Sequence, residues 1–283
     1  MVSIVDAPEV IYTNDQIINR LFNYLNEGDI KEIVERSLDS DTTDKSGGLN
    51  KIIRLIYSRS STDEEESELI REFDSIGKFA ILHGILKEEG DITPFEEIGE
   101  DDRNELEENG FVHAKGRINA SPINDLQNLI EDMKPYFDIF NSDMKFQDQD
   151  QDQEFSLSDI QDFLNELNSG ENIYTVNTST DSLNANVVFS LSEGELEGQL
   201  SKYTEYHVLG RIEHVYGRGE EEWLMNVMDL LPEGDRDARR NRRMFLRQMV
   251  SSTSDLLDRN VTEDDFKIGY PDVRIRPVAI YLL

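Results

Sequence analysis

The sequence predicts an α+β fold in two parts. A helix-rich N-terminal half carries one or two short strands, and a C-terminal half builds a small mixed sheet with covering helices. Three observations predict it. Apolar residues in the first half recur at helical spacing behind capping residues. The last third alternates apolar and polar residues at the two-residue period of strands. Between them, residues 147–154 alternate Gln with acids and carry no apolar face, which reads as a linker. The expected divisions are a helix-rich α+β domain over 1–146, an acidic Gln/Asp linker over 147–156 and a mixed α+β domain over 157–283.

The elements follow in order. Residues 9–12 form a short strand. Asn14 caps a helix that places Ile17, Ile18, Leu21, Phe22 and Leu25 on one face, with Gly28 as its stop. Residues 40–50 are polar, contain Gly47 and Gly48, and read as a loop. Thr62, followed by four acids, starts a helix with negative charge at its positive dipole end. Leu69, Phe73, Ile76 and Ala80 keep its period until Gly90. Residues 110–118 read as a strand. Ser121-Pro122 is a cap with a first-turn proline, leading into a helix that Pro135 interrupts. Ser158 opens another helix, with Gln161 at the capping-box position.

Residues 173–176, 184–191 and 206–216 read as strands. In the last of these Tyr206, Val208, Ile212 and Tyr216 share one face, and His207, Arg211 and Glu213 the other. Residues 223–231 and 239–257 read as helices. The final strand, 273–283, is apolar on both sides after Pro277, so it is expected inside the core, covered on both faces.

Composition narrows the function. The 283 residues hold 28 Lys+Arg against 60 Asp+Glu, a formal net charge of −32, and no cysteine. Without cysteine there is no disulfide framework, thiolate metal site or cysteine nucleophile. The N-terminus lacks a basic region followed by an apolar run, and the most apolar stretches are too short to span a membrane. A cytoplasmic protein with no membrane partner is expected. A field this negative disfavours nucleic acid over the surface at large. Arg (18) outnumbers Lys (10), and the acids are spread along the chain. That pattern matches the acidic proteins of halophilic archaea, in which molar salt shrinks the screening length to about 3 Å and makes self-repulsion tolerable.

Several segments carry a resemblance in this order: Glu9-Val10-Ile11-Tyr12 with its amphipathic helix, residues 110–116, Ser121-Pro122 and its helix, residues 206–212 with Gly219-Glu220 behind them, and residues 276–281 at the end. Together they resemble a family of uncharacterised bacterial and archaeal proteins catalogued as a domain of unknown function. The resemblance covers nearly the whole chain. It implies no established activity and transfers no catalytic residues.

Three constellations carry residue types suited to chemistry. Asp148, Asp150, Asp152, Glu154, Ser156 and Asp159 fall at positions 1, 3, 5, 7, 9 and 12 of a calcium-loop template. Gln153 stands where that loop needs glycine, and a solvated linker is the preferred account. Arg236, Arg240, Arg243 and Arg247 make one helical stripe, within a segment holding six of the 18 arginines. It suits a phosphate or an acidic partner; a complement to the protein's own acids, within the chain or across an oligomer, is preferred. Of the four histidines, His207 and His214 are an odd number apart and point to opposite faces of a regular strand, His83 lies in an apolar helix, and His113 completes the set. His207 and His214 therefore cannot share a metal without a bulge, and core packing is the preferred account for His83. The G-x-x-x-x-G-K-S/T, G-x-S-x-G and H-E-x-x-H signatures are absent from the sequence.

The resulting expectation is a non-enzymatic interaction or regulatory module, without a cofactor, that meets a protein partner or its own copies. The alternative is an enzyme or binder of a phosphorylated or nucleic-acid ligand held by the Arg236, Arg240, Arg243 and Arg247 stripe.

Overall fold

A computed structural model describes residues 9–25, 74–99, 102–122, 171–178, 185–192, 203–224 and 260–283. Short pieces at 124–125, 128, 145–147, 154–156, 195–196, 200–201, 250, 253–254 and 257–258 are described as well. Strands dominate. In chain order they are β1 (Glu9–Thr13), β2 (Ile92–Pro94), β3 (Phe111–Ala120), β4 (Lys145–Gln147), β5 (Glu154–Ser156), β6 (Glu171–Asn177), β7 (Asn186–Ser192), β8 (Glu205–Val215), β9 (Glu221–Trp223), β10 (Lys267–Gly269) and β11 (Val273–Leu282). Two α-helices are delimited, α1 (Asp15–Phe22) and α2 (Ser75–Glu89).

Five of the strands close into a barrel. β3 pairs with β6, β6 with β7, β7 with β11, β11 with β8, and β8 returns to β3. Every pair is antiparallel except β7–β11. The order β8–β3–β6–β7 is a Greek key, and β11 closes it, the connectivity of the OB fold. β1 extends the sheet from the far end of β11, and β2 pairs in parallel with the start of β3.

The helix-rich α+β expectation is therefore overturned. The described residues are mostly strand around a closed barrel, with two helices laid outside it. The reason is physical. Alternation tells which side chains face inward, and it is the same for an open sheet and a closed one. The expected strands at 184–191, 206–216 and 273–283 correspond to β7, β8 and β11, but their sheet closes through β3 and β6. β2, β9 and β10 have three residues each, too few for a periodic signal. The helix expected from residue 223 is corrected for its first two residues, since Trp223 ends β9 and pairs with Lys267 on β10, and the Leu224 N–H donates to the Phe266 carbonyl.

The barrel interior is solid. Val112, Ala114, Val187, Phe189, Val208 and Ile280 are fully buried in one cluster. A five-stranded barrel is narrow enough for side chains to fill it. At Gly210 a Cβ would lie 3.0 Å from the Ile275 Cβ, so glycine lets β8 approach β11. α1 and α2 cover the outer side of β8 and β11. Ile18, Phe22, Phe79, Ile81 and Ile85 pack on Leu209, Val278, Ala279 and Tyr281. The final strand is thus apolar on both faces because one meets the barrel core and the other meets the helices. A second cover lies elsewhere: Ile268 of β10, with Tyr216 and Leu224, packs on Val188 of β7 and Ile173 of β6.

Some local signals act where expected, but the helix expected to run unbroken from Thr62 to Gly90 is interrupted, since Asp74 is extended and caps a new start at Ser75. The Asn14 side chain accepts the Ile17 N–H at 3.1 Å and caps α1, although α1 ends at Phe22. Gly28 and Thr62 lie outside the described residues. Asp74 caps α2 by accepting the Gly77 N–H at 2.8 Å, and Gly90, at φ 76°, ends it in the left-handed conformation. Ser121 Oγ accepts the Asn124 N–H at 3.3 Å. Among the described residues, no helix is long and apolar enough to cross a membrane.

Candidate functional site

A cluster of partly buried histidines lies under α2. Strand alternation builds it. On β3, Val112 and Ala114 point into the barrel, so His113 between them points out. On β8, Tyr206 and Val208 point in and His207 points out. On β11, Ile280 points in and Tyr281 packs outward against the helices. Register then gathers them. His207 sits opposite Lys115 of β3 on one side and Tyr281 of β11 on the other. His113 pairs with Leu209, two residues along β8 from His207. From above, α2 lowers His83, one turn beyond the buried Phe79.

The four side chains form a seam between the helical layer and the barrel. His113 Nε2 and His207 Nδ1 are 3.0 Å apart, a hydrogen bond in which one ring donates and the other accepts. Tyr281 Oη lies 3.4 Å from His83 Nε2. His207 stacks on Tyr281 with ring centroids 5.4 Å apart, and on His113 at 5.1 Å. His83 meets Phe79 and Tyr281 edge to face at 5.9 and 6.2 Å.

Electrostatics keep these rings neutral. Burial, with His113, Lys87 and His207 nearby, lowers His83 to about 3. Burial, then His207 and the Lys115 and Lys87 ammonium groups, lowers His113 to about 4. Burial and Lys115 lower His207 to about 4. Burial and Glu96 push the Tyr281 hydroxyl up. Glu96, in the 3₁₀ turn Phe95–Glu97, borders the seam. Burial raises its carboxyl against hydrogen bonds from the backbone of Glu96 and Lys115, and its Oε1 is buried without a partner. A general acid–base catalyst works best with a pKa near the operating pH, and these imidazoles sit well below neutrality. Neutral imidazole is also a metal ligand, but among the described residues no group of three or more His, Asp or Glu is arranged to hold a metal ion.

The remaining histidine has separate surroundings. His214 contacts Glu108 at 3.0 Å and Glu220 at 2.8 Å, and hydrogen bonding to Glu220 raises it first of all. His207 and His214 thus share no partner. The pairing of β8 with β11 slips by one residue beyond Ile212, so their odd separation alone did not decide this.

The other sequence candidates fare differently. Arg236, Arg240, Arg243 and Arg247 lie outside the described residues, as do Asp148, Asp150, Asp152 and Asp159. Glu154 and Ser156 belong to β5, whose Glu154 pairs with Gln147 of β4. The cluster of His83, His113 and His207 escaped the sequence reading because it depends on strand register. The available signal was one outward histidine on each of two predicted strands, whose adjacency only the structure shows.

A family model described as a domain of unknown function, DUF6414, matches residues 8–281. The chain belongs to this family. The DUF6414 match runs from the start of β1 almost to the end of β11, so it includes every barrel strand and all four side chains of the seam. No curated protein and no solved structure matches the chain.

Proposed function

We propose that this DUF6414 chain is a non-enzymatic interaction module that works in concentrated salt and meets a protein partner or its own copies. One observation carries the reading. In barrels of this connectivity, ligands bind on the outer face of the second and third strands, between the loops after the first and fourth. Those strands are β6 and β7 here, and their outer side carries the chain's own cover of Ile268, Tyr216 and Leu224 on Val188 and Ile173. With that face covered at Val188 and Ile173 and the interior filled, the reading turns to what the connections present. Fold alone assigns no activity.

The connection between β9 and β10 contains Arg236, Arg240, Arg243 and Arg247, against a net charge of −32. Such a cationic run suits an acidic protein surface, including that of another copy. The test is charge reversal at Arg240→Glu and Arg243→Glu, with mass photometry and pull-down in molar KCl. Loss of a complex supports the reading; unchanged partners and unchanged assembly remove the stripe from it.

A second reading rests on chain position. The arginines fall in the connection between the fourth and fifth barrel strands, one of the two that flank ligands in this type of barrel. A phosphorylated or nucleic-acid ligand held there would bind with a steep inverse dependence on salt. Fluorescence anisotropy with a labelled oligonucleotide from low to high KCl distinguishes the two readings.

A further inference from the structure

Three partly buried imidazoles meet where the helical layer lies on the barrel. His83 comes from α2, His113 from β3 and His207 from β8, with Tyr281 of β11 among them. The same layer is otherwise held by Ile18, Phe22, Phe79, Ile81 and Ile85 on Leu209, Val278 and Ala279. We propose that this seam is a proton-operated latch, in which neutral His83, His113 and His207 hold α2 against the barrel and their protonation releases it. The inference is independent of the arginine stripe.

The geometry supplies the mechanism. The His113–His207 bond needs one ring nitrogen to accept. When both rings are protonated, two N–H groups face each other and the bond is lost. The Tyr281 hydroxyl can donate to His83 Nε2 or accept from it, so a protonated His83 keeps this contact, but its charge then faces His113 and His207 on the barrel. The charges that act on the three rings are positive, Lys87 on α2 and Lys115 on β3. Lys115 is only 3.6 Å from Glu205 of β8, at an exposed position. Glu96 faces Tyr281 from the 3₁₀ turn. α1 meets α2 through Ile18 and Phe22 and through the 2.7 Å bond from Lys78 to Asn19. Protons arriving at the rings therefore add to positive charge under a packed helix.

The direction follows from linkage. A histidine released to water titrates near 6.5, and these titrate near 3 to 4 while the seam is closed. The closed state is favoured above 6.5, and that preference is lost as pH falls from 6.5 towards 4. At pH 5.5 each ring shifts the open-to-closed ratio by about tenfold, and three together by up to about a thousandfold.

Hydrogen exchange by mass spectrometry tests the latch on the full chain in molar KCl, with rates corrected for intrinsic pH dependence. The logarithm of the opening constant for residues 75–89 should rise by about two between pH 6.5 and 5.5 and steepen towards about three per pH unit below that, while β6 and β7 keep their protection. In His207→Gln, and separately in His83→Gln, the slope should fall by about one. A flat profile between pH 6.5 and 5, or slopes unchanged in both variants, overturns the proposal. So does loss of β6–β7 protection in step with α2, which is whole-molecule unfolding. Should a variant fail to fold, the Cε1–H shifts of the wild-type histidines decide: three rings titrating near 6.5 would refute it.

Discussion

One arginine shows how much a single side chain holds in this molecule. Arg103, buried in the 3₁₀ turn Asp102–Glu105, donates from Nη2 to the Tyr216 carbonyl at 2.7 Å and to the Asp272 carbonyl at 2.9 Å. Its Nε donates to the Pro271 carbonyl at 2.9 Å, and its guanidinium lies over the Tyr270 ring. The segment before β3 is thereby tied to the end of β8 and the start of β11. Arg103→Met leaves these carbonyls without their donor and should cost about 2–4 kcal/mol in chemical denaturation. Arg103→Lys should recover less than half of it, because an ammonium lacks the planar fork. His214 gives the opposite pH sign to the seam. Its pKa is raised by Glu220 and Glu108, so its stabilising contribution is full below 6.5 and fades as pH rises through the raised value. The melting difference between wild type and His214→Gln should therefore appear only on the acid side.

At the scale of elements, the β9–β10 pair packs on Val188 of β7 and Ile173 of β6 from outside the barrel. Ile268 is fully buried between Tyr216 and Val188. Ile268→Ala should destabilise by about 2–5 kcal/mol, the usual cost of a core cavity. It should also raise hydrogen exchange in β9 and β10 before the barrel strands respond. β11 was the most legible strand, because an apolar run on both faces demands two covers. The pairing of β7 with β11, and of β3 with both β6 and β8, joins residues far apart in sequence and left no local mark. The seam belongs to this illegible class: His113 and His207 are adjacent only through the β3–β8 register.

For the whole molecule, charge is the dominant fact. With a formal net charge of −32, compaction brings like charges together. Raising KCl from dilute buffer to molar concentration should raise the denaturation midpoint steadily, as the screening length falls to about 3 Å. A midpoint independent of salt would mean that the acids are paired locally or serve recognition, and the brine reading would fall. Exposed ion pairs such as Lys115–Glu205 at 3.6 Å relieve only a small part of the repulsion.

The amino-acid sequence by itself determined composition, charge, the caps at Asn14, Ser121 and Gly90, and which residues of each long strand face inward. These are local properties, decided by neighbouring residues and by the two-fold and 3.6-fold periods of the backbone. Only the tertiary structure decided that the sheet closes, that a strand pair covers β6 and β7, and that three histidines from separate elements meet one tyrosine. Closure and register depend on which distant strands pair, and periodicity along one strand carries no information about its partner.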